Sequence, residues 1–124
     1  MKTLKESILS STNTGIDFHS GMECLAYSNH PKAVELRKAF SVEKSATPEG
    51  FIFTDNGCTD LENKGIKGVY LWVGYKYSKA RWLSKKLPNF AYTVKRKMQQ
   101  IFGKPVEIED FTTSTDMYRL YIEM

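Results

Sequence analysis

Between Asn63 and Val106 the chain has no aspartate and no glutamate, yet it carries eleven lysines and arginines there. The absence is local. Residues 1–62 hold six cations and nine anions, and residues 107–124 hold one cation and five anions. The formal charge of +4 over 124 residues thus averages a basic middle with two acidic flanks. Charge sorted in this way bears on partners and says nothing of fold. Cysteine is scarce as well, with Cys24 and Cys58 alone. That excludes a disulfide framework, and both are expected as reduced thiols. The longest run that is nearly all apolar or aromatic, Val69 to Tyr75, falls far short of the ~20 residues of a membrane-spanning helix. No apolar stretch follows the basic residues of Met1-Lys2-Thr3-Leu4-Lys5-Glu6, so no secretory signal is predicted and a cytoplasmic location is expected.

Motifs that carry chemistry are equally sparse. His19, Cys24, His30 and Cys58 are the only soft metal ligands, and they lack the paired spacing of a zinc site. No metal or other cofactor is expected. Asp55 to Glu62 is acidic, but its glycine and carboxylates are out of phase for a calcium loop. Cys24 with His19 or His30 is the only nucleophile–base pairing, and no third residue is placed to orient it. Glycine-rich phosphate loops and serine elbows are missing. The chain is therefore expected to be a binding protein and no enzyme.

What is present is a folded-protein composition, 41% hydrophobic and 13% aromatic, and the length of one domain. Residues 1–15 are expected to be a peripheral segment and residues 16–124 a single domain. Glu23 to Tyr27 reads as a short strand. Ser28-Asn29-His30-Pro31 reads as a helix start with proline at the first position, and that helix should end near Phe40 or Ser41. Thr47 to Gly50 is a turn, and Phe51 to Thr54 a strand. Val69 to Tyr77 is the clearest strand, with Val69, Leu71 and Val73 on one face and Tyr70, Trp72, Gly74 and Lys76 on the other.

Beyond Ser78, Leu83, Leu87, Phe90, Val94, Met98 and Ile101 keep a helical period until Gly103 ends it; Pro88 interrupts it, and the unbroken phase predicts a kink there rather than the start of a second helix. Val106 to Phe111 and Met117 to Met124 read as strands joined by a turn. The order β-α-β-β-α-β with one further strand is that of a ferredoxin-like split βαβ fold. The expected architecture is thus α+β, an antiparallel sheet of four to five strands with two helices on one face.

On a helical wheel the cations avoid the apolar stripe. Arg81, Lys85 and Arg96 lie opposite it with Tyr92 and Gln99 among them; Lys79, Lys86 and Lys97 line one border and Lys95 the other. Solvated helices usually mix charge signs, since opposite charges at i, i+4 add a few tenths of a kcal/mol. A helix that lacks such pairs is relieved by an anionic partner. If the second face of the central strand is open, Tyr70, Trp72 and Lys76 would add a base-stacking platform. The expected function is nucleic-acid binding: Lys76, Lys79, Arg81, Lys85, Lys86, Lys95, Arg96 and Lys97 at phosphates, Tyr70 and Trp72 at bases. Two other readings fit the same residues. One is a module that binds an acidic protein surface, and the other is a homo-oligomer, such as a homodimer, that buries Tyr70 and Trp72. Glu107, Glu109 and Asp110 are expected to pair with Lys104 or with the basic helix, which would mute it.

The opening fifteen residues, Met1 to Gly15, resemble the start of uncharacterised proteins of gut-bacterial phages and their hosts. The resemblance covers about an eighth of the chain and implies a source without implying a chemistry. Lys67-Gly68 also stands ahead of the central strand as the motif of the RNA-recognition family begins. Val69, Leu71 and Trp72 then depart from that family's pattern, and membership does not follow.

Overall fold

The computed structural model describes residues 18–19, 22–54, 68–75, 82–113 and 115–123. In these residues the chain runs β1 (Phe18–His19), β2 (Met22–Cys24), α1 (Pro31–Ala39), β3 (Phe51–Thr54), β4 (Gly68–Tyr75), α2 (Leu83–Phe102), β5 (Glu107–Asp110) and β6 (Tyr118–Glu123). The fold is α+β, a six-stranded sheet with two helices among the described residues. None of these helices is long and apolar enough to cross a membrane. The expected peripheral segment, residues 1–15, lies outside the described residues.

Local chemistry accounts for both helices. Pro31 opens α1 at the position where a missing N–H costs nothing. His30 is its cap: the Lys32 amide donates to His30 Nδ1 at 3.0 Å, and the His30 amide donates to Ser28 Oγ at 3.0 Å. Ala33 and Leu36 supply the buried face. Arg37 reaches back from the same helix and donates to the carbonyls of Leu25 (2.7 Å) and Ser28 (2.8 Å). That clamp bends residues 25–27 into a turn, so the first predicted strand ends at Cys24 and not at Tyr27. α2 buries Leu83, Leu87, Ala91, Val94 and Met98 on one stripe and runs unbroken past Pro88, which sits on the exposed side. Gly103 ends it at φ 67°, a left-handed cap whose amide donates to the Gln99 carbonyl.

His30 gives this corner a pH dependence. Burial, and then the charge of Lys32, lower its pKa from the ordinary 6.5. The unfolded chain therefore takes up a proton before the folded one does, and it binds more protons just below that value. The stability that neutral His30 contributes is complete above about pH 6.5 and is lost as pH falls through the folded value. Thermal melts followed by circular dichroism should show a falling midpoint from about pH 7 to pH 5. His30→Asn, which keeps a capping acceptor without a titrating ring, should flatten that fall. An unchanged slope in the variant would assign it to other groups.

The sheet departs from the expected ferredoxin-like order. β2 pairs parallel with Gly68 to Tyr70 of β4, while β3 pairs antiparallel with Trp72 to Tyr75 of the same strand. β6 pairs with β4 from Gly68 to Val73, and β5 pairs outside β6. A split βαβ needs β2 and β3 on opposite edges of the strand between them. Here they lie end to end on one edge. Three-residue β2 and four-residue β3 fit together along eight-residue β4, which leaves the other edge to the C-terminal hairpin.

Register sets the two faces. Val69, Leu71 and Val73 stand opposite Ile122, Leu120 and Tyr118, and Phe53 stands opposite Val73. Phe53 meets Phe40, just beyond α1, at 5.8 Å between centroids, and Phe90 of α2 at 6.2 Å. This is the helix-covered face, as the alternation along the strand predicts. The other face carries Tyr70 and Trp72 with Tyr121 and Arg119 as their cross-strand neighbours.

Candidate functional site

That second face is not an open platform. Tyr70 is 0% exposed and Trp72 7%. Phe111, one residue past β5, brings its ring to 4.9 Å from Trp72. The Arg119 guanidinium lies 5.8 Å from the Trp72 ring and 5.7 Å from Phe111. Glu109 holds that guanidinium, accepting from Nη2 at 2.6 Å and from Nε at 3.1 Å. Met117 packs beside them, so close to Gly74 that a Cβ there would lie 2.9 Å from its Cε. The expected stacking role of Tyr70 and Trp72 is therefore withdrawn, because both rings are already packed as core. The motive for a homo-oligomer that covers them goes with it.

The acidic strand also behaves otherwise than expected. Glu109 faces away from the helices and serves Arg119. Asp110 accepts from the hydroxyl and the amide of Thr112, which lower its carboxyl pKa and keep it in its own turn. Among the described residues no carboxylate forms an ion pair with Lys85, Lys86, Lys95, Arg96 or Lys97. The anticipated muting of the helix by Glu107, Glu109 and Asp110 is not found there.

Those five cations belong to α2. Lys85, Lys86 and Arg96 are exposed, and Lys95 and Lys97 are half-buried along the borders of the apolar stripe. Lys76, Lys79 and Arg81 lie outside the described residues. Two large rings join the five. Trp82 is 55% exposed and Tyr92 45%. The Lys86 ammonium stands 4.8 Å from the Trp82 ring centre, and that of Lys95 5.7 Å from Tyr92. The wheel placed Tyr92 among the cations but gave it no role. Trp82 was readable too, since it precedes Leu83 and falls about 100° from the apolar centre.

Two clefts run along this helix. The larger, of ≈ 570 Å³, lies between α2 and the start of β3 and is lined by Glu49, Phe51, Lys85, Lys86, Asn89 and Phe90 among others. The smaller, of ≈ 430 Å³, continues past Phe40 to Arg96, Lys97 and Gln100. Thr93 lines both and joins them. Its hydroxyl donates to the Asn89 carbonyl at 2.9 Å and accepts from Arg96 Nη2 at 3.1 Å. From Lys85 to Gln100 the helix advances roughly 22 Å at the standard rise. The floor includes Phe90, stacked on Phe51 with centroids 4.0 Å apart and 5° between planes.

Of the candidate catalytic and metal residues, Cys24 and His30 take structural places. Cys24 is 0% exposed, and His30 is the cap of α1. His19 lies in β1, and Cys58 lies outside the described residues. Among the described residues no three His, Cys, Asp or Glu side chains gather as metal ligands. Comparison with protein-family models, with curated proteins and with solved structures returns no match.

Proposed function

We propose that the protein binds nucleic acid through the solvent side of α2 and acts as a binding protein. One observation carries the reading: five cations follow a single helix, and no described carboxylate pairs with them. Unpaired lysines and arginines in such a row match a polyanion whose charges recur along its length. Trp82 and Tyr92, exposed among them, offer rings for unpaired bases, the role once expected of Tyr70 and Trp72. The resemblance of the first fifteen residues fits a phage or mobile-element product that works in a bacterial cytoplasm.

The test is titration of labelled oligonucleotides at low and moderate salt. Affinity should fall steeply as salt rises, with a slope set by the number of neutralised phosphates. Absence of binding at low salt would overturn the reading. If polyglutamate displaced the oligonucleotide at equal charge concentration, an acidic protein surface would become the better partner.

A further inference from the structure

Resting on that reading, we infer that the larger cleft is a subsite for one unpaired nucleotide whose base carries an exocyclic amino group. With one flank bounded by the rest of the fold, α2 is not placed to enter a duplex groove. A helix that enters a major groove about 12 Å wide must stand clear on both flanks. One flank of α2 is instead bounded by Glu49 and Phe51, and farther along by Ala39 and Phe40. A single strand can lie in such a channel, with its bases turned inward.

The lining divides the work. Lys85 and Lys86 stand at the solvent edge and suit the phosphate. Phe90, half-buried and backed by Phe51, supplies the apolar wall. Among the described residues that line the cleft Glu49 is the one carboxylate, and it would repel a phosphate beside it. An ionised carboxylate only accepts hydrogen bonds, so it favours a donor on the incoming group. Cytosine and adenine present a two-proton amino donor where thymine presents a carbonyl acceptor, and unpaired thymine has only its ring N3–H to donate. Asn89 lines the same cleft and donates as well as accepts, so it can meet the remaining ring atoms.

The experiment compares (dC) and (dT) single strands of about twelve nucleotides with a mixed-sequence duplex of equal length, at low salt and neutral pH. Flexible thymine strands often bind such surfaces well, so a cytosine preference is not the default. The expected result is single strand over duplex, and (dC) over (dT) by about fivefold or more. Glu49→Gln should bring that ratio close to one, because glutamine both donates and accepts, whatever the change in overall affinity. Thr93→Phe, a neutral substitution at an exposed helical position, should narrow the channel and weaken both single strands without lowering the melting temperature. Duplex binding equal to or tighter than single strand, or a ratio that Glu49→Gln does not move, would overturn the subsite and leave the cationic helix as the binding face. Failure of every oligonucleotide to bind would overturn both.

Discussion

Alanine at Lys85, Lys86, Arg96 and Lys97 together is expected to weaken oligonucleotide binding by on the order of a thousandfold or more at about 50 mM salt. The size follows from counterion release. Each neutralised phosphate of a single strand contributes about 0.7 to the slope of log affinity against log salt. Four lost contacts flatten that slope by about 2.8, so the variant should bind more weakly and also respond less to salt. The two effects separate a lost phosphate contact from a damaged fold. All four side chains sit outside the apolar stripe, and none holds a described carboxylate. Thermal stability should therefore move by no more than about 0.5 kcal/mol per position. A quadruple variant that kept both its affinity and its salt slope would remove α2 from the interface.

The parts of this fold that are legible in the sequence are those set by a local period. Leu83, Leu87, Val94 and Met98 repeat at helical spacing, and they are the buried stripe of α2. Gly103 is readable for the same local reason, since a left-handed cap needs no distant partner. Pairing is less local. The order of helices and strands is compatible with several sheets, and what decides here is that β2 and β3 are short enough to share one edge of β4. The alternation along β4 sorts its side chains correctly between two faces. It is silent on whether the second face is covered. That depends on Phe111, Met117 and Arg119, roughly forty residues downstream, and on a hairpin register that sets Arg119 beside both Trp72 and Glu109. The same register explains why Glu107 and Glu109 do not reach the basic helix, while Asp110, on the helix side beside Tyr118, is held by Thr112. Glu109 points to the far side of the sheet, a fact invisible in a count of charges.

The two tryptophans turn that difference into a measurement. Trp72→Ala is expected to destabilise the fold by about 3–5 kcal/mol, the range for a buried ring removed without repacking. That is a large share of the 5–15 kcal/mol that typically holds a small fold together, so the variant should unfold at much lower urea or fail to accumulate. The Trp72 indole N–H is buried and has no hydrogen-bond partner among the described residues. Trp72→Phe, which keeps a ring between Phe111 and Arg119 and breaks no described hydrogen bond, should therefore cost much less than Trp72→Ala. Trp82→Ala should do the reverse. Its ring is 55% exposed at the start of α2, and its removal should change stability by about 0.5 kcal/mol or less. Oligonucleotide affinity should fall by about fivefold or more, since one base stacked on a ring is worth roughly 1–3 kcal/mol. Urea melts and titrations on the three variants give the comparison. A Trp72→Ala protein with wild-type stability and lost affinity would return the sheet face to the binding site; the opposite pattern places the working aromatic on the helix, beside the lysines.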